Sequence, residues 1–378
     1  MGRWWKLFDR RAAGGISPRF CKRRVQSPAS DVEIEEENVF MRAVFMREPG
    51  NIEFKDAPMP EMGDSDVLLK VEYVGLCGSD LSAYCGRNPM MQFPNVPGHE
   101  IAARIADKGG FVPVGFSVGD LVLVRPYFSC GKCSSCRDNR PNACEFNQTM
   151  GTHRGGAICD YIIVPYSHAI VCNDIDPQIA ALVEPLSVGA HMVNRAGVNA
   201  GDNIAVFGCG AVGLGAIATA AYRNAKVFAV DISAGKLEMA KKMGAAELIN
   251  SAQANAVHVL KDLTNGDGAD VTLECSGAPG AFNQALEAVR FSGKMGVVSY
   301  TVSDTTFNTK LLVAKELNLY GSRNAVGEDF ETVLQMVRGG GLPVHKMITH
   351  VFAFDEAKNV FEQWKADPAR ITKILIKL

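Results

Sequence analysis

The sequence predicts an α/β protein that combines a doubly wound parallel sheet with a second, mostly β domain. From about Ala180 onward, strand-like and helix-like segments alternate, which is typical of a parallel sheet covered by helices on both faces. From Met41 to about Tyr166, short strands are broken by Gly, Pro and Asp, and helical periods are few. The 378 residues also exceed what one compact core usually holds, so we expect two domains.

The strands of the β domain are short apolar runs. Residues 41–45 form the first of them, and residues 67–71 and 121–124 form the clearest ones. Two further runs near the C-terminus, residues 351–352 and 373–376, lie apart from other strand signals. We expect these to return the chain to the β domain.

The parallel sheet is predicted from the order of segments after residue 200. A strand at residues 203–207 leads into an Ala- and Gly-rich helical stretch, and a second strand at residues 226–230 leads into a helix over residues 236–243. Residues 271–274 and 295–298 are predicted as later strands of the same sheet. We therefore divide the chain into a catalytic domain at 41–190, a dinucleotide-binding domain at 191–323, and a return to the catalytic domain at 324–378.

Residues 1–40 differ in composition from the rest. Residues 1–24 are basic and aromatic, and an acidic run follows at residues 33–37. One interpretation is an Arg-rich organelle-targeting segment, since such segments are basic and poor in acids. The other, which we favour, is a disordered tail or an over-extended start, because Met41 already opens a strand. We expect no chemistry from this segment.

Composition excludes several function classes. The formal net charge is −2, so no global positive field favours nucleic acid or an anionic membrane surface. No run approaches the ~18 apolar residues of a membrane span. The 11 cysteines are an odd number in a chain without a secretory signal, which argues against a disulfide framework. Free thiols indicate a reducing compartment, and we predict the cytoplasm.

A glycine-rich motif predicts a dinucleotide site. The segment at residues 208–213 reads Gly-Cys-Gly-Ala-Val-Gly; it follows a strand, opens a helix, and has an acidic residue about twenty positions later. The glycines let the backbone approach a pyrophosphate at the helix N-terminus, and the acid would bind ribose hydroxyls and repel a 2′-phosphate, which favours NAD. The alternative is a packing turn in another α/β fold. The predicted cofactor-binding residues are Gly208, Gly210, Val212, Gly213, Asp231 and Lys236. The positive charge of Lys236 could soften the preference for NAD over NADP.

Four cysteines predict a structural metal site. They have the spacing C-x-x-C-x-x-C-x7-C, and four thiolates can close a tetrahedral shell around zinc with no open position for substrate. An iron–sulfur cluster could use a similar spacing, but nothing else in the sequence indicates electron transfer. The predicted ligands are Cys130, Cys133, Cys136 and Cys144.

A second constellation predicts a catalytic zinc, which needs about three protein ligands and one open position. Cys77 and His99 supply sulfur and nitrogen, and the third ligand is either Glu100 or Glu184, which could alternate. Asp80 is suited to accept the other ring N–H of His99, and Ser79 to take the proton of a substrate hydroxyl. The sequence thus predicts two zinc ions per chain, one structural and one catalytic.

Taken in order, these motifs resemble the zinc-containing medium-chain alcohol dehydrogenases over residues 41–378. They are Cys77-Gly-Ser-Asp, Gly98-His-Glu, the four-cysteine lobe, Glu184-Pro and the glycine motif with its acid. The resemblance implies a GroES-like catalytic domain split around a Rossmann domain, with the active site in the cleft between them. It also implies a homodimer or homotetramer. One departure concerns the proton relay, because many members carry His five residues after the catalytic Cys, where this chain has Ser82.

Shorter segments resemble particular branches of that family. Residues 184–189 are similar to polyol dehydrogenases such as sorbitol dehydrogenase, whereas residues 86–89 and 321–330 are similar to sugar-acid members such as L-galactonate and L-gulonate 5-dehydrogenases. The resemblance implies NAD-linked oxidation of a secondary alcohol on a small sugar acid or polyol, with Arg323 on a substrate carboxylate. Arg323 could instead contact cofactor phosphate or pair with Glu328 or Asp329. The other functions weighed are an L-threonine or simple polyol dehydrogenase, a zinc-free quinone reductase, and a non-catalytic dinucleotide-binding protein.

Overall fold

The structure is a computed structural model that describes residues 40–301, 304–368 and 370–378. The expectations for residues 1–39 lie outside the described part. Seventeen strands are present among the described residues: β1 Phe40–Glu48, β2 Asn51–Pro58, β3 Asp66–Leu76, β4 Glu100–Lys108, β5 Leu121–Val124, β6 Tyr127–Phe128, β7 Gln148–Thr149, β8 Tyr161–Pro165, β9 Ala169–Val171, β10 Asn203–Phe207, β11 Lys226–Asp231, β12 Glu247–Asn250, β13 Ala269–Glu274, β14 Val289–Val297, β15 Asn318–Gly321, β16 Ile348–Ala353 and β17 Lys373–Lys377.

Helices fill most of the space between the strands of the second half. In the described part of the chain the α-helices are α1 Gly78–Tyr84, α2 Ser134–Arg137, α3 Pro177–Ala196, α4 Ala211–Tyr222, α5 Ala234–Lys242, α6 Ala256–Leu263, α7 Ala281–Ala288, α8 Lys310–Lys315, α9 Gly327–Arg338 and α10 Ala357–Ala366. None of these helices is both long enough and apolar enough to cross a membrane.

The β domain is built on a seven-stranded sheet with the order β16-β17-β3-β4-β5-β9, and β8 pairs with β3. The C-terminal strand β17 lies antiparallel to β3, with Ile374 opposite Leu76. The C-terminal strands β16 and β17 thus lie in the same sheet as β3. Strand β1, which contains residues 41–45, pairs with β2 in a separate hairpin.

The second sheet is parallel, with the order β12-β11-β10-β13-β14-β15. Its central strands are fully buried, as the continuous apolar run of β10 requires between two layers of helices. The order reverses beside β10, which has β11 on one side and β13 on the other, and this is the position where doubly wound sheets bind ligands. The predicted fold class, a Rossmann-type sheet plus a mostly β domain, is confirmed.

Helix α3 joins the two sheets. It begins with Pro177 behind the N-cap Asp176, whose carboxylate accepts the Gln178 N–H, and it ends at Gly197 in the left-handed conformation. Its buried residues share one apolar core with Leu121 of the first sheet and Ile204 of the second. Because α3 runs through residue 190, the division at that residue stays a prediction.

Helices α3 and α4 cross with their backbones in contact. A Cβ on Gly189 would lie 2.2 Å from the Val212 carbonyl oxygen, and one on Gly215 would lie 2.5 Å from the Leu186 carbonyl oxygen. Only glycine fits at either position. The helix that carries Glu184 is thereby fixed against the helix that follows the glycine motif.

Candidate metal centres and dinucleotide site

Three of the predicted catalytic ligands converge in the β domain. The ligand atoms of Cys77, His99 and Glu100 all lie within 4.8 Å of one another. Cys77 follows β3 and is the N-cap of α1, while His99 and Glu100 enter β4, which pairs with β3. The antiparallel pairing of two neighbouring strands therefore brings together a thiol and two residues more than twenty positions away in sequence.

Local backbone features hold these ligands in place. The Asp80 carboxylate accepts the Cys77 backbone N–H at 2.9 Å, which fixes the first turn of α1. Gly98 has a φ of 98°, and a Cβ there would lie 2.6 Å from Val74 Cγ1. A Cβ on Gly75 would lie 2.0 Å from Glu100 Oε2, so this glycine leaves the space that the carboxylate occupies.

Asp80 and His99 each keep one buried polar atom without a partner. Asp80 Oδ1 and His99 Nδ1 make no hydrogen bond to any described residue. Burial alone would lower the pKa of His99, but the Asp80 carboxylate and the Cys77 sulfur raise it well above its usual range. Burial also raises the pKa of Asp80. The predicted hydrogen bond between Asp80 and His99 is thus not formed, although Asp80 acts on the ring electrostatically.

Lys373 is a partner of the site that the sequence analysis missed. Its ammonium is 3% exposed and lies 2.6 and 2.8 Å from the two carboxylate oxygens of Glu100. Burial opposes its charge, but Glu100, Cys77 and Glu184 together raise the pKa of Lys373. A single Lys at the start of the apolar strand β17 was the available signal, since a buried Lys requires an ionic partner.

Glu184 reaches the same site from helix α3 and is 4% exposed. The Tyr127 hydroxyl donates a hydrogen bond to it, a contact that the sequence analysis also missed. Burial, together with repulsion from Glu100, raises the pKa of Glu184 to about 7, although His99 opposes the shift. Three acidic side chains and a thiol thus share one buried space with His99, and this excess of anionic groups suits a bound metal cation.

The four-cysteine lobe is compact. The sulfurs of Cys130, Cys133, Cys136 and Cys144 all lie within 4.8 Å of one another. The backbone N–H groups of Cys130 and Cys133 each donate to a sulfur at 3.3 Å. Backbone N–H groups of Cys136 and Glu145 lower the pKa of Cys133 to about 6, whereas burial raises the pKa of Cys144 to about 11. Four thiols preorganised in this way fit a closed tetrahedral zinc site.

Arg323 contacts the four-cysteine lobe. Its Nη1 donates to the Cys144 carbonyl at 3.1 Å, and its own carbonyl accepts from the Asn142 amide. Asp329 binds elsewhere, to His191 at 2.8 Å and to the Val326 N–H. Among the described residues Arg323 has no carboxylate partner, so the alternative in which it pairs with Glu328 or Asp329 is wrong.

The glycine motif has the shape of a dinucleotide-binding turn. Gly208 has a φ of 96°, and a Cβ on Gly213 would lie 1.9 Å from the Gly208 carbonyl oxygen, so neither position accepts a side chain. Gly210, the N-cap of α4, has nothing within 4 Å of its would-be Cβ. This open side leaves room for a pyrophosphate at the helix N-terminus. Val212, in the first turn of α4, is half-buried beside it.

Asp231 ends β11 next to this turn. Its two carboxylate oxygens accept the N–H groups of Cys209 at 2.8 Å and of Ser233 at 2.9 Å. Both donors are backbone N–H groups, so these two hydrogen bonds hold the carboxylate beside the glycine-rich turn. Lys236 is half-buried one helical turn later and acts electrostatically on the Cys209 thiol.

Comparison with known proteins identifies the family. Residues 63–174 match the alcohol dehydrogenase GroES-like domain, and residues 211–339 match the zinc-binding dehydrogenase model. A zinc-type alcohol dehydrogenase-like protein of Haemophilus influenzae is 34% identical over 88% of this chain and 98% of its own length. The chain belongs to the zinc-type alcohol dehydrogenase family of oxidoreductases.

Two further relatives of this chain have named activities. The L-galactonate-5-dehydrogenase of Escherichia coli is 31% identical over 85% of this chain and 95% of its own length. The sorbitol dehydrogenase of Bacillus subtilis is 33% identical over 85% of this chain and 93% of its own length. Both branches anticipated from the short segments are therefore represented among its relatives.

Solved structures of similar proteins include cofactor complexes. A zinc-binding dehydrogenase of Sinorhizobium meliloti 1021 bound to NADP has a TM-score of 0.83 at 27% identity, covering 90% of this chain and 100% of that one. An alcohol dehydrogenase of Escherichia coli CFT073 complexed with NADH has a TM-score of 0.83 at 25% identity, covering 90% and 99%. Relatives of this fold thus bind nicotinamide dinucleotides of both kinds.

Proposed function

We propose that this protein oxidises a secondary alcohol of a small sugar acid or polyol to a ketone, with NAD as the hydride acceptor. The observation that carries the proposal is the buried convergence of Cys77, His99 and Glu100, with Glu184 facing them from α3. An L-galactonate and a sorbitol dehydrogenase among the relatives support the substrate class. An intact set of ligands favours this reaction over a zinc-free quinone reductase or a non-catalytic dinucleotide-binding protein.

Each residue of the site has a distinct part in this reaction. Cys77 and His99, with Glu100 or Glu184, would hold a zinc ion, which supplies Lewis-acid stabilisation of a substrate oxygen. Asp80 sets the electrostatics of the His99 ring. The Tyr127 hydroxyl fixes the orientation of Glu184. Ser79, half-buried in the first turn of α1, would relay the substrate hydroxyl proton, accepting it while its own hydroxyl proton passes to solvent. Ser82 stands where many family members carry the His of the outer relay.

The choice of NAD rests on Asp231. Its carboxylate is fixed beside the turn that receives the pyrophosphate, where a 2′-phosphate would meet a negative charge. Asp231→Asn keeps a hydrogen-bond acceptor and removes the charge, and Asp231→Gly removes both. The ratio of kcat/KM for NAD over NADP should fall about tenfold or more in each variant, the order expected for one charged hydrogen bond. Equal wild-type efficiency with both cofactors would contradict the assignment.

A carboxylate on the substrate is the finer part of the proposal. Arg323 uses Nη1 on the Cys144 carbonyl, which leaves further guanidinium N–H groups for a ligand. A planar guanidinium matches a carboxylate with two parallel hydrogen bonds, and an ammonium does not. Burial, followed by the positive charge of Arg323, lowers the pKa of His153.

The test is a substrate panel of aldonates, the matching neutral polyols and L-threonine, followed at the absorbance of the reduced nicotinamide. Arg323→Lys should raise KM for the aldonate at least about tenfold more than for its polyol. Arg338→Lys is the matched control, because Arg338 pairs with the exposed Asp174 away from the site. Equal losses on both substrates would assign Arg323 to cofactor or fold. A wild type that prefers the polyol would make this a general polyol dehydrogenase, and one that prefers L-threonine would overturn the sugar-like substrate.

The cellular setting follows from the same chemistry. Ten described cysteines are free, four of them gathered as metal ligands, and such thiols persist in a reducing compartment. We therefore place the protein in the cytoplasm. The resemblance to the family implies a homodimer or homotetramer, and we propose no nucleic-acid or membrane partner. Sedimentation of the purified protein would measure the oligomeric state.

A further inference from the structure

A cavity of about 560 Å³ lies at the edge of the parallel sheet where its strands begin. Asn203 opens β10, Asp270 stands near the start of β13, and Arg290 stands near the start of β14. The glycine motif follows the opposite end of β10. Since strands rise about 3.3 Å per residue, a strand length of roughly 16 Å separates the cavity from the dinucleotide turn. The cavity is thus distinct from the site described above.

Three cationic side chains line this cavity, and each has unused donors. The Lys315 ammonium is held by the carbonyls of Glu287 at 2.8 Å and Val289 at 2.7 Å, which leaves one N–H. The Arg290 guanidinium donates Nε to Asp270 at 2.5 Å and Nη1 to the Phe291 carbonyl at 2.8 Å, which leaves Nη2. Lys261 forms no side-chain hydrogen bond or ion pair with any described residue.

The carboxylates that line the cavity leave both lysines without an ion pair among the described residues, because Asp270 pairs with Arg290. Asp270 is occupied by Arg290 and by the Asn203 N–H at 2.7 Å. Asp267 is exposed at the rim and is the other carboxylate of the lining. Lys261 and Lys315 both line the cavity, and burial, followed by repulsion from Lys261, lowers the pKa of Lys315. An anion placed between them would relieve this repulsion.

We propose that this cavity binds the phosphate group of a small phosphorylated metabolite. A phosphate is a compact anion with several acceptor oxygens, and it can reach ammonium and guanidinium donors on different walls at once. Phe291 lines the same cavity and is 65% exposed, so its ring offers an apolar face to the organic part of the ligand. Because the cavity lies at the opposite edge of the sheet, the ligand binds together with the dinucleotide and does not compete with it.

The experiment is calorimetric titration of the full chain, saturated with NAD, with ribose 5-phosphate and with inorganic phosphate at constant ionic strength. Lys261→Met removes the one cation that anchors nothing else, so the fold is expected to persist. It should weaken ribose 5-phosphate binding about tenfold or more, the loss of one charge-assisted bond. Lys241→Met, an exposed lysine of α5 outside the cavity, is the control for net charge and should leave binding unchanged.

Phe291→Ala distinguishes a phosphorylated metabolite from free inorganic phosphate as the ligand. It should weaken ribose 5-phosphate several-fold and leave inorganic phosphate unaffected, since only the former carries an organic part. If inorganic phosphate binds as well as ribose 5-phosphate and Phe291→Ala changes neither, an organic ligand is ruled out. Binding that survives both Lys261→Met and Phe291→Ala, or that competes with NAD, would place the phosphate elsewhere and overturn the proposal.

Discussion

The two metal-binding clusters are built in opposite ways. The four-cysteine lobe draws its ligands from residues 130–144, and backbone N–H groups of the same loop point at its sulfurs. The catalytic cluster draws Cys77, His99 and Glu184 from three separate segments and adds Lys373 from the last strand. The lobe is therefore specified by local sequence. The catalytic cluster exists only once the seven-stranded sheet and helix α3 have been assembled.

The difference also concerns charge. The lobe contains no carboxylate among its four ligands, and it leaves Cys130 and Cys136 half-buried while Cys133 and Cys144 are buried. The catalytic cluster places Glu100 and Glu184 at 0% and 4% exposure, with Lys373 as a buried counter-charge. Removing a cysteine from the lobe should disorder the loop that carries the other three. Removing one member of the buried ion pair in the catalytic cluster should leave a buried charge without a counter-charge.

The largest effects should come from removing one ligand of each cluster. Cys144→Ser should lower the zinc content from two ions per chain to one and reduce Tm by about 10 °C or more, because structural zinc binding contributes folding free energy. His99→Ala should leave the circular dichroism spectrum unchanged and lower kcat/KM at least about 10²- to 10³-fold, because it removes an electrostatic stabiliser of the reaction. Elemental analysis, calorimetry and steady-state kinetics measure these quantities.

Cys172→Ser serves as the control for that pair, because Cys172 is buried in the core away from both clusters. It should keep both zinc ions. A folded, fully active wild type that contains a single zinc would contradict the assignment of two centres.

The next largest effect concerns Lys373. Lys373→Met leaves Glu100 buried without its cation and should lower the free energy of unfolding by about 3–5 kcal/mol. Lys373→Arg keeps the charge and should recover most of that loss. Urea unfolding measures both variants, with the exposed Lys377→Met on the same strand as the control. Equal stability of Lys373→Met and wild type would show that the buried ion pair contributes nothing net.

A smaller effect concerns the pH dependence of stability, which we expect Glu184 of the catalytic cluster to cause. The pKa of Glu184 is about 7 in the folded protein and lies near 4.5 when unfolded, so between these values the folded chain binds more protons. The stability of the zinc-free protein should therefore fall as pH rises from about 4.5 to 7, by at most about 3 kcal/mol. Glu184→Gln should flatten this slope in urea titrations at several pH values. Zinc should reverse it in the wild type, since metal binding requires deprotonated ligands. The same pH dependence in wild type and Glu184→Gln would contradict the shift.

Prediction from sequence succeeded where signals are local or periodic. The four-cysteine spacing, the turn at Gly208 and the alternation of strands and helices are all short-range patterns, and each corresponds to an observed feature. The failures were pairwise contacts over long distances. Tyr127 and Lys373 join the site only through the tertiary fold, and a sequence separation of 273 between Glu100 and Lys373 carries no spacing signal. The alternative prediction that Arg323 pairs with Asp329 was wrong for the same reason, because the tertiary fold places His191 against Asp329 instead.

The glycine crossing of helices α3 and α4 has a mechanical consequence. With the Gly189 and Gly215 positions in direct backbone contact, the two helices have no free space in which to slide or tilt against each other. The helix that carries Glu184 and the helix that follows the glycine motif therefore move as one rigid block. A change in the angle between the two sheets would therefore have to occur outside this block, in connecting segments such as the loop between β15 and α9 that contains Arg323.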